Sequence, residues 1–169
     1  MQIRPARLDD VPELLDLVHS AYRGDASRAG WTTEADLIDG SRTDADELTA
    51  LVPDLLVAVD GEALVGCCAL TARGDTGYFG TFAVRPLQQG SGVGSALLAA
   101  AEERARAQGL RAVEMTVLSA RPELIAYYER RGYADTGRSV PFPYGVERNG
   151  RPRRDDLEFA LLQKPLHAG

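Results

Sequence analysis

Three alternating glycines, Gly90, Gly92 and Gly94, occupy a loop that follows a strand-like apolar segment and leads into a long helical pattern. The start of a helix has backbone N–H groups without intrahelical acceptors and carries the positive end of the helix dipole. Glycines, which lack side chains, allow a phosphate to come close to those N–H groups. The spacing therefore predicts a pyrophosphate site, with a plain strand-to-helix turn as the alternative interpretation.

The loop differs from other well-known catalytic patterns. The Walker pattern needs Gly-Lys-Ser/Thr, and no lysine occurs here; the dinucleotide fingerprint needs glycine where Ser95 stands. A serine hydrolase is not indicated, because the chain has no Gly-x-Ser-x-Gly elbow. The two histidines, His19 and His167, do not form a pair with metal-ligand spacing, so no metal site is predicted.

Hydrophobic periodicity predicts the elements that position this loop. Strands are predicted at 2–7, 55–59, 62–72, 78–84, 111–118, 133–139 and 157–162. Helices are predicted from Asp9 or Asp10 to 22, within 43–51, at 92–108 and at 122–131. This order argues for one α/β domain with a mixed sheet over residues 1–169. Residues 23–51 form an acidic segment interrupted by glycines, and residues 137–156 are read as a long loop before the last strand.

Length and charge exclude several classes of protein. A chain of 169 residues with 44% hydrophobic and 26% charged residues has the balance of a globular domain. Its 19 basic and 25 acidic residues give a net charge of −6, which lacks the basic footprint of a nucleic-acid binder. Apolar stretches are too short for a membrane span, and no apolar signal core begins the chain. We therefore expect a cytoplasmic protein.

Residues 89–94 (QGSGVG) resemble the central motif, Gln/Arg-x-x-Gly-x-Gly/Ala, of the GNAT superfamily of acyl-CoA-dependent N-acyltransferases. Residues 124–133 (LIAYYERRGY) resemble the later motif of that family, which ends in Tyr-Glu-x-x-Gly-Phe/Tyr. The two segments occur in the family's order. One departure is Arg121, which stands where members often carry an asparagine that helps to bind the cofactor.

The resemblance implies the GNAT fold, a mostly antiparallel central sheet flanked by helices, and acetyl-CoA as cofactor. The backbone amides of residues 89–95 would hold the pyrophosphate, and the backbone of Phe82 and Val84 would pair with the pantetheine arm as an added strand does. The residues implied to bind the cofactor are Phe82, Ala83, Val84, Gln89, Gly90, Ser91, Gly92, Val93, Gly94 and Ser95.

The catalytic acid implied by the resemblance is Tyr128. Acyl transfer to an amine needs a neutral amine and a proton for the departing thiolate, and the family's motif tyrosine donates that proton. A phenol with an ordinary pKa of about 10 holds this proton at neutral pH. Tyr127 points about 100° away on a helix, so we expect it to serve as a packing residue. A packed aromatic residue is the alternative interpretation of Tyr128 itself.

The general base is a separate question. Many relatives carry a glutamate six residues before the position of Val84, and this chain has Tyr78 there. Glu34, in the acidic segment, is the first candidate for a base that acts through water. The alternatives are that Glu34 is a solvated surface carboxylate and that the free amine enters already neutral.

Four residues are predicted to contact the acceptor: Trp31, Arg42, Phe142 and Tyr144. The first two lie in the segment that covers the cleft in this family, and the other two lie in the long loop. Long loops in compact domains are often functional, and a tryptophan in a polar setting suits a ligand wall. A hydrophobic plug against the first helix is the alternative for Trp31.

The resemblance therefore implies an N-acetyltransferase that moves acetyl from acetyl-CoA to a primary amine of a small molecule or peptide by direct attack. Polyamines, amino acids, antibiotics and peptide or protein N-termini stay open as acceptors, as do longer acyl groups. The alternative is a non-catalytic acyl-CoA-binding sensor or regulatory module, against which Tyr128 argues. A homodimer is plausible by resemblance, and neither nucleic acid nor membrane is an expected partner.

Overall fold

Strands and helices lie close to the segments that the periodicity predicts. The structure is a computed structural model, and it describes residues 1–22, 38–39, 43–86, 91–141, 151–152 and 158–166. The strands are β1 (Gln2–Pro5), β2 (Ile38–Asp39), β3 (Leu55–Asp60), β4 (Ala63–Arg73), β5 (Thr76–Val84), β6 (Ala112–Leu118), β7 (Ala134–Pro141), β8 (Arg151–Pro152) and β9 (Glu158–Pro165). The helices are α1 (Val11–Tyr22), α2 (Ala45–Leu51), α3 (Val93–Ala107) and α4 (Pro122–Glu129).

Seven strands form one sheet in the order β1-β3-β4-β5-β6-β9-β7. All neighbouring pairs in this sheet are antiparallel except β5 and β6, which are parallel. Parallel neighbours need a crossover connection, and α3 lies in the one between them. The expected mixed, mostly antiparallel sheet is therefore confirmed. Strands β2 and β8 form a separate antiparallel ladder.

Each face of the sheet carries its own apolar core. On one face α3 and α4 cover a cluster that includes Leu97, Met115 and Tyr128. On the other face α1 and α2 cover a cluster that includes Leu14 and Leu48. Helices on both faces explain why β3 and β4 are apolar along most of their length.

The adjacent cysteines show how strand alternation divides these cores. Cys67 belongs to the cluster under α1, and Cys68 belongs to the cluster under α3. Successive side chains of a strand point to opposite faces, so the two sulfurs cannot act as a pair. Burial raises the pKa of the Cys68 thiol, which keeps it protonated at neutral pH.

The first predicted helix is confirmed as α1, and a 3-10 turn, Leu8–Asp10, precedes it. The Asp10 carboxylate accepts bonds from the Arg4 guanidinium and the Arg7 amide. The predicted loop 137–156 is interrupted at both ends, because β7 extends to Pro141 and β8 lies at 151–152. The helix expected within 43–51 is confirmed as α2, and the Asp44 carboxylate caps it by accepting from the Glu47 amide at 2.8 Å.

A β-bulge interrupts the ladder between β4 and β5. Cys67 lies opposite Ala83, whereas Ala69 lies opposite Gly80, so β5 has an extra residue at this point. Thr81, in the bulge, has a φ of 46°, which a non-glycine residue seldom adopts. A bulge bends its strand and leaves one residue outside the ladder. The bulge lies beyond Tyr78, the last β5 residue that pairs with β6.

A cluster of polar side chains around a buried carboxylate joins α3 to β9 and to the residue that precedes β7. The Tyr133 hydroxyl donates to one oxygen of Glu102 at 2.9 Å, and the Lys164 ammonium donates to the other at 3.0 Å. Burial raises the pKa of Tyr133, and the neighbouring Glu102 carboxylate raises it further. Tyr133 therefore stays protonated and serves as a fixed hydrogen-bond donor.

We expect Lys164→Met to lower the free energy of unfolding by about 1–3 kcal/mol, because it leaves a buried carboxylate oxygen without its cation. Denaturant titration measures this loss. Adding Glu102→Gln to that variant should recover part of it, since a neutral amide does not need the ammonium. An unchanged free energy of unfolding in Lys164→Met would show that the cluster contributes nothing.

Candidate active site

A gap between β5 and β6 lies at the centre of the sheet. The two parallel strands pair from Thr76 opposite Ala112 to Tyr78 opposite Glu114. Beyond that point both strands continue, but the structure shows no further pairing between them. An extended chain can enter such a separation between two strands and pair with them as an added strand. Crevices at the carboxyl ends of parallel strands are common ligand sites.

Helix α3 begins beside this gap. Its N-cap residue Gly92 has a φ of 93°, and a methyl group built there meets nothing within 4 Å. A methyl group built at Gly94 would lie 3.0 Å from the Phe82 ring and 3.2 Å from the Tyr127 hydroxyl. The first turn of α3 has no acidic residue. This helix end is therefore open, positive in potential and built on small residues.

A guanidinium from the end of α4 reinforces that positive end. Two nitrogens of Arg131 donate to the Ser95 hydroxyl, at 2.8 and 3.3 Å, within the first turn of α3. The same guanidinium stacks 3.6 Å from the Tyr127 ring centroid and donates to the Tyr127 carbonyl at 2.9 Å. The Tyr127 hydroxyl lies 3.4 Å from the Ser95 hydroxyl. These contacts fix the guanidinium at a helix start, which favours anions.

Tyr128 lies on the buried side of α4. Only 4% of its surface is exposed. Its ring packs near Phe82, with centroids 6.3 Å apart, and edge-on to Tyr133 at 6.0 Å. Phe82 belongs to β5 beyond the point where the strands part, so this ring lies on the helix side of the gap.

Two hydroxyls meet across the other face of the gap. The Tyr78 and Thr116 hydroxyl oxygens lie 2.7 Å apart, joining β5 to β6 just beyond their last paired residues. The Arg73 guanidinium lies 4.0 Å from the Tyr78 ring centroid. Both hydroxyl groups are half-buried.

Comparison with known families identifies the architecture. The sequence model of the acetyltransferase (GNAT) family matches residues 12–133. That range includes the gap, the start of α3 and the tyrosines of α4. The chain belongs to the GNAT family.

Individual relatives agree with this assignment. An IAA acetyltransferase of Azospirillum brasilense is 36% identical over 126 residues, which cover 72% of this chain and 74% of that protein. The ribosomal-protein-S18-alanine N-acetyltransferase of Escherichia coli has a similar fold, with a TM-score of 0.73, 15% identity and coverage of 99% and 96% of the two chains. Rv2747 of Mycobacterium tuberculosis, crystallised with CoA and NLQ, has a TM-score of 0.68 at 21% identity, covering 99% and 100%.

As a GNAT protein, the chain is an acetyl-CoA-dependent acyltransferase. The protein is therefore assigned as an enzyme and not as a non-catalytic acyl-CoA-binding module. No helix among the described residues is long and apolar enough to cross a membrane.

The structure brings together part of the predicted GNAT site. Phe82 and Val84 lie on the strand that borders the gap, Ser91 to Ser95 surround the start of α3, and Tyr128 lies on α4. Ala83 instead packs in the core under α1. The predicted residues that lie outside the described part of the chain are Trp31, Glu34, Arg42, Gln89, Gly90, Phe142 and Tyr144.

Sequence reasoning missed three features of this GNAT site. Tyr127 is more than a packing residue, because its hydroxyl lies beside Ser95. The contact of Arg131 with Tyr127 could have been predicted, because Arg131 follows Tyr127 by four residues, which is about one helical turn. Thr116 carried no signal, because its partner Tyr78 comes from a distant strand.

The departure at Arg121 has a structural explanation. Its guanidinium, only 8% exposed, donates to Glu123 at 2.6 Å within the first turn of α4. Burial alone would raise the pKa of Glu123, but the bond from Arg121 and the helix start together hold it below its usual value. Arg121 thus helps to fix the start of α4, and we assign it no cofactor-binding role.

Proposed function

We propose that this chain is an N-acetyltransferase, which transfers acetyl from acetyl-CoA to a primary amine by direct attack. The observation that carries the proposal is the gap between β5 and β6, which has the positive start of α3 at its open end and Tyr128 on its helix side. Direct attack requires both substrates to lie together, and we assign the acceptor to the other face of the gap.

The residues at the start of α3 fit the phosphates of coenzyme A. An open glycine at the helix start, the N–H groups of the first helical turn and the Arg131 guanidinium suit an anion, and no acidic side chain of that turn opposes it. We assign pyrophosphate binding to residues 89–95 and pantetheine pairing to the backbone of Phe82 and Val84. When bound, acetyl-CoA supplies an acetyl group activated as a thioester.

Tyr128 is the acid in this proposal. Its ring lies on the inner side of α4 and packs near Phe82, a residue of the strand that borders the gap. Tyr127 is assigned to the cofactor side, because its hydroxyl lies at the start of α3. Glu34 remains the proposed base.

The acceptor approaches from the face of the sheet that carries Tyr78 and Thr116. On the opposite face the gap is bordered by Phe82, Met115 and Val117, each at most 7% exposed, whereas the Tyr78 and Thr116 hydroxyl groups are only half-buried. Trp31, Arg42, Phe142 and Tyr144 are proposed to line that approach. Primary amines are the acceptor class, and the IAA named for the Azospirillum relative is a compound to test directly.

Release of free thiol from acetyl-CoA, followed across a panel of polyamines, amino acids, amine antibiotics, short peptides and IAA, tests the proposal. We expect thiol release with at least one amine and an N-acetyl product by mass spectrometry. Matched alcohols serve as controls. Acetyl transfer to oxygen acceptors alone, or to water alone, would overturn the assignment as an N-acetyltransferase.

Arg131→Gln should weaken acetyl-CoA binding by roughly tenfold or more, because a charge-assisted bond to phosphate is lost. It should also flatten the dependence of the affinity on salt. Arg130→Gln is the matched control, since Arg130 is exposed and adjacent. Titration calorimetry at two salt concentrations measures both effects. Equal affinities for the two variants would show that Arg131 serves only to fix the helices.

A further inference from the structure

The Tyr78–Thr116 contact lies where the two central strands separate. Tyr78 is the last β5 residue paired with β6, and it lies opposite Glu114. Thr116 follows Glu114 by two residues on β6. Side chains at i and i+2 of a strand share a face, so Thr116 stands one step further toward the open part of the gap. The 2.7 Å contact between the hydroxyls therefore crosses the gap at its narrow end.

The Tyr78 ring is held in this position from two further sides. A methyl group built at Gly80 would meet the edge of the ring at 3.1 Å, so the ring lies directly over that glycine. The Arg73 guanidinium lies 4.0 Å from the ring centroid. A ring fixed by a hydroxyl bond, a backbone contact and a guanidinium is a rigid wall rather than a mobile side chain.

The remaining sides of the narrow end are also filled. Phe82, Met115 and Val117 occupy the helix face, each at most 7% exposed. Toward the start of β5, the two strands are paired continuously from Tyr78 back to Thr76. A chain inserted between the strands from the start of α3 would therefore meet apolar core, paired backbone and the Tyr78 ring at the narrow end.

We propose that Tyr78, held by Thr116, limits the length of the acyl group by forming the end wall of the acyl pocket. The inference rests on the proposed placement of the pantetheine arm in the gap. A tyrosine in this place fills the volume that a longer acyl chain needs, so acetyl is accepted and butyryl is opposed.

Titration calorimetry with CoA, acetyl-CoA and butyryl-CoA tests the wall without an acceptor. Wild type should bind butyryl-CoA roughly tenfold or more weakly than acetyl-CoA, since apolar pockets discriminate on the order of tenfold per methylene. Tyr78→Ala should bring the two affinities to within roughly threefold. Tyr78→Phe keeps the ring and should keep most of the discrimination, whereas Thr116→Val tests the hydroxyl bond alone.

The outcomes separate this inference from the proposed function. If wild type binds none of the three compounds, the assignment of the gap to coenzyme A fails. If CoA binds all variants equally but wild type binds acetyl- and butyryl-CoA alike, only the end wall is overturned. If Tyr78→Ala still binds butyryl-CoA tenfold more weakly than acetyl-CoA, the end wall is also overturned. An unchanged affinity of that variant for CoA is the control that its fold is intact.

Discussion

Tyr128→Phe is expected to lower kcat by roughly 10²- to 10⁴-fold, the usual contribution of a positioned general acid. The phenylalanine ring keeps the packing against Phe82 and Tyr133, so the melting temperature and the affinity for acetyl-CoA should stay near those of wild type. Steady-state kinetics with the best amine of the panel, together with thermal unfolding, measures the two effects separately.

Tyr127→Phe is the matched comparison, since it removes the neighbouring hydroxyl from the same helix. That hydroxyl lies beside Ser95 at the start of α3, so its loss should raise KM for acetyl-CoA while kcat changes little. Wild-type kcat in Tyr128→Phe would refute its role as the acid. A large loss of kcat in Tyr127→Phe instead would move that role to Tyr127.

Gly92→Asp is expected to abolish stabilisation by acetyl-CoA. Cofactor at about 100 times its dissociation constant should stabilise the wild-type protein by roughly 2.7 kcal/mol, or by about 5–10 °C in melting temperature. A carboxylate at the open start of α3 would repel the phosphates at the place where the helix offers its N–H groups. A thermal shift assay with and without acetyl-CoA measures the loss.

Gly92→Asn separates charge from backbone strain. The φ of 93° at Gly92 is unfavourable for both replacements, and their side chains have nearly the same size. We expect the asparagine variant to keep part of the shift that the aspartate variant loses. If both variants respond to acetyl-CoA as wild type does, the glycine loop is only a turn.

The local elements of this fold can be read from the sequence because each depends on near neighbours. The Asp60-Gly61 hairpin, the cap at Asp44 and the helix that ends before Gly109 all follow from residues a few positions apart. The parallel pairing of β5 with β6 and its early end cannot be read in this way. It depends on contacts between segments that a whole helix separates in the sequence.

The same distinction between local and long-range contacts applies to the candidate site. The glycines at the start of α3 and Tyr128 were predictable because motifs keep them at fixed spacing. The bulge at Thr81 was not, since a threonine with positive φ gives no sequence signal and is imposed by the tertiary structure. At Tyr78 the sequence showed only that a tyrosine replaces the glutamate of many relatives. Its contact with Thr116 could not be predicted, because the two residues come from strands that are far apart in the sequence.

The small ladder of β2 and β8 has a consequence for protein engineering. Ile38 and Asp39 pair with Pro152 and Arg151, so two stretches far apart in the chain are joined by backbone hydrogen bonds. The two stretches belong to segments 23–51 and 137–156, which also carry the residues that we assign to the acceptor. A chimera that aims to transplant acceptor preference from a relative should therefore exchange both stretches together, because swapping either one alone would pair a foreign strand with a native one.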